Sequence, residues 1–407
     1  MRAWSPRLAL LTAGHFSIDS YSSFLAPLLP LLVQKLDLSL TMVGGLVALS
    51  SVTSSLSQPF FGVMSDRLRR PWFVLLGPLC AGLFLCAVGL APSYLALVGL
   101  VMAGGLGVAA FHPQAAVLAG GLLGRRGLAM SIFVSGGTAG FSAGPLIAVA
   151  LAGTLGLEWT WLWGLSALPV GVLLLVWFRR MGRLEAHAFE RPRWRELRPL
   201  ASPLGALYGS AVCRSIAGYG FMTFLPLHLA ATGHGIGFGG LVVSAYLTAG
   251  ALGSFFGGWL ADRAGCRTVI VRSLFGGLPL FAAYPFLPEL WAIPAIVAGN
   301  FVLQMGLPVV VVMGQQIAPR HASTVSSMLM GAAWGMSMLM IGPAGMVADR
   351  YGIPAAMLVL ALALVPGALF ALRLPDTREP SADAPGPAAD PPPPGAAADP
   401  NSGVQPA

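Results

Sequence analysis

Long apolar runs, separated by short gaps that carry arginine, constrain this chain more than any other feature. Of its 407 residues, 56% are hydrophobic and only 9% are charged, whereas a soluble domain carries about 25% charged residues. A membrane-crossing helix uses about 20 apolar residues, so the chain has room for about a dozen. The runs exclude a soluble enzyme and a disordered chain, and they predict an all-α integral membrane protein.

Twelve such runs, each ended by charges or turn residues, predict twelve transmembrane helices. Several contain Gly and Pro, which membrane helices tolerate. The predicted limits are 8–33, 41–63, 72–91, 94–123, 127–153, 159–178, 203–231, 240–260, 269–287, 291–317, 324–346 and 353–372.

The positions of the basic residues predict the orientation. With the N-terminus inside, 20 of the 23 Lys and Arg residues fall on the cytoplasmic side, Lys35 and Arg350 fall outside, and Arg214 lies within a span. Such an excess is typical of cytoplasmic loops. We therefore expect a multi-pass protein of the cell inner membrane with both termini in the cytoplasm. The net charge of +8 is explained by topology, so no nucleic-acid partner is expected.

Repeated landmarks divide the chain into two halves. Three pairs recur at an offset of 196 or 198 residues: Gly62-Val-Met-Ser-Asp66-Arg67 with Gly258-Trp-Leu-Ala-Asp262-Arg263, Gly144-Pro145 with Gly342-Pro343, and Leu29-Pro30-Leu31 with Leu225-Pro226-Leu227. Internal repeats of this kind are common in transporters. The predicted domains are an N-terminal six-helix bundle (1–178), a cytoplasmic linker (179–202), a C-terminal six-helix bundle (203–374) and a disordered Pro/Ala-rich cytoplasmic tail (375–407).

The repeated loop resembles the signature loop of the major facilitator superfamily. The second copy is the fuller match, since the first has Leu68-Arg69-Arg70 where a later Gly is expected. The resemblance implies two pseudo-symmetric six-helix bundles that rock about a central site, with these loops acting as conformational gates. The predicted gating residues are Gly62, Asp66, Arg67, Arg70, Gly258, Asp262, Arg263 and Arg267.

Small residues in span 5 predict close contact between helices, because glycines four apart let backbones approach. The predicted helix-packing residues, with their second-half counterparts, are Gly136, Gly137, Gly140, Gly144, Pro145, Gly342 and Pro343. Gly140-x-x-x-Gly144-Pro145 also resembles part of the superfamily's antiporter signature. Two departures weaken the match: Ser131 replaces an upstream Gly, and Ala148-Val149 replace a following Gly pair.

A narrower resemblance, to the fosmidomycin-resistance branch of the superfamily, runs from about residue 10 to 372 and excludes the central loop and the tail. It implies proton-driven export of a drug or metabolite and does not fix the substrate. Besides the glycine-rich span 5, it rests on His15-x-x-x-Asp19, Phe111-His112-Pro113, Arg214-Ser215 and Gly314-Gln315-Gln316.

Four ionisable residues stand out within the predicted spans: His15, Asp19, His112 and Arg214. Such residues are costly in a membrane and mark functional sites. His15 and Asp19 share one helix face, and at 1.5 Å per residue Asp19 and His112 lie roughly 18–20 Å from their cytoplasmic arginines, near mid-membrane. We predict that Asp19 exchanges protons opposite Arg214, the alternative being a permanent ion pair. The histidines either relay protons, contact an anionic substrate or are satisfied core residues.

Six further polar residues are predicted to line the substrate cavity, although membrane helices also use such groups for packing: Tyr21, Gln114, Tyr208, Tyr219, Gln304 and Gln315. The sequence has no P-loop, His-Glu-x-x-His or Gly-x-Ser-x-Gly motif, and its four cysteines form no metal-binding pattern. We therefore expect no enzymatic activity, no metal and no cofactor.

The predicted function is proton-coupled efflux, by antiport, of a small organic compound or drug. Its expected partners are the lipid bilayer, protons and the substrate, and the protein is expected to be monomeric. Two alternatives remain: a proton symporter that imports a small organic anion, and a non-transporting membrane sensor or scaffold.

Overall fold

The computed structural model describes residues 5–68, 70–122, 126–180, 197–321, 325–326 and 328–376, which form helices and no strand. Helices satisfy their backbone hydrogen bonds internally, as lipid requires. Eleven described helices are long and apolar enough to cross a membrane. Helix α7 is not among these eleven, but its 31 residues are also long enough to cross one. In order, these twelve helices are α1 (Pro6–Leu36), α2 (Leu40–Ser65), α3 (Trp72–Leu90), α4 (Tyr94–Gly121), α5 (Arg126–Thr154), α6 (Leu157–Arg179), α7 (Ala201–Ala231), α8 (Ile236–Ala264), α9 (Cys266–Phe286), α10 (Glu289–Ile317), α11 (Met328–Tyr351) and α12 (Ile353–Leu372).

The all-helical fold class is confirmed, while the predicted domain limits remain predictions. Residues 181–196 and 377–407 lie outside the described residues. These two stretches hold most of the predicted linker and nearly all of the predicted tail.

Helix α1 is interrupted near its middle, between Pro6–Ser22 and Leu25–Leu36. Pro27 has no N–H to donate to the carbonyl four residues earlier, at Ser23, so the regular ladder cannot continue there. At the break, the Ser23 hydroxyl donates a hydrogen bond to the Ser20 carbonyl at 3.2 Å. The break follows Asp19 by one turn.

Two other spans contain a π-helical turn, a feature found often at functional sites. These turns are Val52–Leu56 in α2 and Met328–Ala332 in α11, and they lie against each other across the two halves. In the first turn, the Ser57 hydroxyl donates to the carbonyls of Val52 and Thr53 at 2.8 and 2.6 Å.

Glycines on α5 bring it against α1 in the N-terminal half. A Cβ on Gly136 would overlap Thr12, one on Gly140 would overlap the Phe16 backbone, and one on Gly144 would overlap Ser20 and Ser23. Pro145 continues within the same helix. The predicted close contact of span 5 is therefore made with span 1.

The halves meet along α2 with α11 and α5 with α8. Ser244 donates to the Ser142 carbonyl at 2.8 Å, and Ser51 donates to the Gly335 carbonyl at 3.3 Å. Leu40 N and Thr41 N donate to the Asp349 carboxylate at 2.8 and 2.7 Å. The described hydrogen bonds between halves thus lie near mid-span or at the span ends away from the chain termini.

The second glycine motif behaves differently from the first. A Cβ on Gly342 would meet nothing within 4 Å, but Gly44 of α2 approaches so closely that its own Cβ would lie 2.9 Å from Gly342 Cα. Gly342, followed by Pro343 in α11, therefore joins a contact between halves.

Candidate functional site

Three ionisable side chains converge at the middle of α1 and α4, and we call them the His15–Asp19–His112 cluster. His15 Nε2 lies 3.2 Å from Asp19 Oδ2, and His112 Nε2 lies 3.1 Å from Asp19 Oδ1. Each carboxylate oxygen therefore faces its own imidazole. The sequence predicted the shared face of His15 and Asp19, and the structure adds His112 from another helix.

Backbone carbonyls hold both imidazoles in orientation. Nδ1 of His15 lies 2.8 Å from the Phe133 carbonyl oxygen, and Nδ1 of His112 lies 2.8 Å from that of Val108. The Phe133 ring stacks on His15 with centroids 4.2 Å apart. The rings are thus fixed with Nε2 toward Asp19.

Gly137 of α5 closes one side of the cluster. A Cβ there would lie 2.6 Å from Asp19 Oδ2 and would also overlap the His15 ring. His15 is buried, whereas the Asp19 and His112 side chains keep 17% and 25% exposure. The cluster is therefore enclosed on the α5 side, and the partial exposure of Asp19 and His112 leaves it accessible from another side.

Arg214 on α7 is a second buried charge. Its Nη1 donates to Gln304 Oε1 on α10, and its Nη2 donates to Ser215 Oγ at 3.1 Å. The residue is only 4% exposed, and its Nε has no hydrogen-bond partner among the described residues. No described carboxylate forms an ion pair with it. The guanidinium is held by neutral groups, which leave its charge uncompensated.

Asp19 and Arg214 are not paired with each other. Asp19 contacts the two histidines, whereas Arg214 contacts Gln304 and Ser215. Tyr219 lies within electrostatic range of both charges. The alternative of a permanent Asp19–Arg214 ion pair is therefore not met, while proton exchange by Asp19 opposite Arg214 stays a prediction.

Two predicted cavity residues hold helices of the N-terminal half together. Tyr21 is fully buried, and its hydroxyl lies 2.7 Å from Ser166 Oγ on α6. Gln114 Oε1 accepts from Phe73 N and Val74 N at 3.0 and 3.1 Å, which caps the start of α3. Buried polar groups need such partners, so these hydrogen bonds give both side chains a role in packing, and their place in a substrate cavity stays a prediction.

The other predicted cavity residues lie in the C-terminal half. Tyr208 donates to the Ala332 carbonyl at 3.3 Å, and the Tyr219 ring contacts Trp334 edge-on at 6.1 Å. Gln315 donates to Ser326 at 2.9 Å near the end of α10. Of this group, Tyr219 and Gln304 belong to the surroundings of Arg214.

The predicted gating loops form no described latch. Arg263 stacks on Trp259, with its guanidinium carbon 3.9 Å from the ring, and Asp262 is exposed. Arg267 donates to the Leu372 carbonyl at 2.9 Å. Gly62 and Gly258 are half-buried and Arg70 is exposed. The side chains of Asp66 and Arg67 lie outside the described residues.

Asp349 is a residue that the sequence analysis missed. It lies in α11 and accepts hydrogen bonds from the first residues of α2 in the other half. A signal was present, because Gly345-Met-Val-Ala-Asp349-Arg350-Tyr-Gly352 repeats the loop pattern of residues 258–265.

The cluster also contains the described groups with metal-ligand spacing. One ligand atom from each of its three residues lies within 4.8 Å of the other two. Imidazole–carboxylate pairing accounts for these short distances, and the expected absence of a metal stays a prediction.

Comparison with known proteins decides the family. The model of the Major Facilitator Superfamily matches residues 11–343 and, in a second alignment, 207–400. The chain belongs to the Major Facilitator Superfamily. This family membership makes the chain a multi-pass membrane transporter rather than an enzyme.

Relatives and solved structures agree with this family. The chain is 29% identical over 386 residues to the uncharacterized transporter YfnC of Bacillus subtilis, covering 92% of this chain and 94% of that protein. It is also 29% identical to the fosmidomycin resistance protein of Escherichia coli, over 91% and 93%. The fold resembles a bacterial homolog of the human lysosomal transporter Spinster, with TM-score 0.74, 19% identity, and coverage of 90% and 95%.

Proposed function

We propose that this transporter exports a small organic compound or drug in exchange for protons, by alternating access across the cytoplasmic membrane. The similarity to the fosmidomycin resistance protein supports a drug or metabolite as cargo. The basic residues favour cytoplasmic termini. On this proposal the transporter works as a monomer and needs no cofactor.

The His15–Asp19–His112 cluster is the observation that carries this proposal. Asp19 lies 13 residues beyond the start of α1, about 20 Å along the helix and near the centre of a ~30 Å hydrocarbon core. Carboxylate and imidazole groups are the usual members of intramembrane proton relays. Partial exposure of Asp19 and His112 gives the protons a route in and out.

Arg214 supports an acidic or phosphonate-like substrate. Its buried charge has neutral partners, and its Nε–H has no hydrogen-bond partner among the described residues. An oxyanion is the ligand whose charge and geometry a guanidinium matches best. Tyr219 lies within electrostatic range of the guanidinium and is a candidate second contact.

Proton symport of an organic anion is the second candidate. An anion beside Arg214 would stabilise protons on the nearby cluster, so substrate and protons would favour moving together. Antiport instead requires the substrate to displace the protons. Antiport and symport would use the same residues, and the direction of substrate flux relative to proton flux distinguishes the two.

Reconstituted liposomes provide the test. We would impose a pH gradient and measure flux of acidic and neutral compounds, fosmidomycin included. Export predicts substrate movement against the proton flow, and symport predicts movement with it. Asp19→Asn should abolish the effect of the gradient. Arg214→Ala should reduce flux of acidic compounds about tenfold or more, because hydrogen bonds to charged groups contribute about 1.5–3 kcal/mol.

Asp37→Asn is the matched control for Asp19→Asn. Asp37 is exposed beyond the end of α1, and its φ of 50° suits Asn. This variant should behave as wild type. Proton coupling through Asp19 would be refuted if flux in the wild-type protein did not depend on the pH gradient, or if Asp19→Asn kept its normal dependence on it.

A further inference from the structure

The hydrogen-bond partners of the two imidazoles determine where their first protons lie. Nδ1 of His15 and Nδ1 of His112 each lie 2.8 Å from a backbone carbonyl oxygen. A carbonyl oxygen only accepts hydrogen bonds. Each Nδ1 must therefore carry a proton, whatever the charge of the ring.

The opposite nitrogens are then left without a proton in neutral imidazoles. Each Nε2 is an acceptor in that state, and it faces a carboxylate oxygen, also an acceptor, at 3.1 or 3.2 Å. Two facing acceptors at this distance repel each other. Each contact becomes a hydrogen bond only when a further proton lies between nitrogen and oxygen.

We propose that the His15–Asp19–His112 cluster is a two-proton site, with one exchangeable proton on each imidazole–carboxylate contact. The two protons belong to the cluster as a unit: both imidazoles are cationic, or one is cationic and Asp19 is protonated. In either arrangement the cluster changes from a charge of −1 when empty to +1 when loaded. A single proton would leave one acceptor pair unbridged.

Few other groups compete for these protons. Phe133 and Gly137, which face the cluster from α5, carry no titratable side chain, and neither does Phe111 beside His15. From α7, Tyr219 lies within electrostatic range of Asp19, and Arg214 lies within range of Tyr219. Arg214 stays cationic, so the exchangeable protons are assigned to the cluster.

The two-proton count has a consequence for transport, which rests on the proposed function. If both protons leave and return in each cycle, two protons move per substrate molecule. Replacing His112 with Gln leaves one contact that can hold an exchangeable proton. The variant should therefore couple one proton to each substrate molecule.

The site itself is tested without any substrate. The full-length protein in lipid nanodiscs, labelled with ¹⁵N-histidine, is examined by NMR in neutral buffer, with His15→Gln and His112→Gln used for assignment. Infrared spectra of wild type and Asp19→Asn report whether Asp19 is protonated. The cationic imidazoles plus a protonated Asp19 should total two. A total of one or none, or a proton missing from either Nδ1, would overturn the proposal.

The coupling is tested in liposomes from the reversal of fosmidomycin flux under opposed pH and voltage gradients. Wild type should give two protons per substrate molecule, and His112→Gln should give one. His228 lies in the last turn of α7, outside the cluster, so His228→Gln should keep two protons per substrate molecule. A spectroscopic count of two with flux insensitive to pH would contradict the proposed function alone. One proton per substrate molecule, with a spectroscopic count of one, would contradict the two-proton site alone.

Discussion

At the scale of single residues, Gly137 should be as important as the ionisable groups it faces. Alanine there would place a Cβ against Asp19 and His15. Because overpacking costs about 1–3 kcal/mol and 1.4 kcal/mol is a factor of ten, we expect Gly137→Ala to lower pH-driven flux about tenfold. The measurement is flux per reconstituted molecule.

Gly99→Ala is the control for that substitution. Gly99 is exposed on α4, and a Cβ there meets nothing within 4 Å. Alanine also favours helix over glycine, so this variant should be fully active. Equal activity in both variants would show that the cluster tolerates a methyl group at Gly137.

The sequence predicted the depth and helix face of the ionisable residues better than it predicted their partners. The four-residue spacing of His15 and Asp19 fixed their common face, and distance along the helices placed His112 at a similar depth. The rotation of α4 and α7 about their axes is set by tertiary contacts. For that reason the sequence left a permanent Asp19–Arg214 ion pair open, whereas in the structure each charge has separate partners.

At the scale of helices, Asp349 links the end of α11 to the beginning of α2. Its carboxylate accepts from the N–H groups of Leu40 and Thr41 and from the Thr41 hydroxyl at 2.6 Å. Helix N-termini have unsatisfied N–H groups and favour negative charge. This end of the halves is therefore held closed by a cap supplied from the opposite half.

Asp349→Asn should weaken that closure. The amide removes the charge and turns a donor toward the α2 N-terminus. Charge-assisted hydrogen bonds contribute about 1.5–3 kcal/mol, so we expect about a tenfold population shift toward opening at this end. Spin labels at the facing ends of α2 and α11 would report it as a longer distance. The control variant Asp37→Asn should leave the spin-label distances unchanged. Unchanged distances in Asp349→Asn would show that the cap does not hold this end closed.

Helix number was predictable because lipid leaves the backbone few alternatives, and span limits came within several residues. The break in α1 and the π-helical turns within α2 and α11 could not be predicted. Pro27 lies one turn after the break in α1, yet Pro145 and Pro226 continue within helices. The π-helical turns carry no proline, and hydroxyl groups such as Ser57 support the first of them. Neighbouring side chains decide these cases, and a single sequence does not reveal them.

At the scale of the whole molecule, the halves should need to separate along α5 and α8 during each cycle. Ser142 and Ser244 meet there across the halves, and the four native cysteines are buried or half-buried. A disulfide between Ser142→Cys and Ser244→Cys should stop transport, and reductant should restore it. The single-cysteine variants should remain active under oxidation. Wild-type flux from fully cross-linked protein would mean that this contact persists throughout the cycle, and that access to the cluster changes by local movements instead.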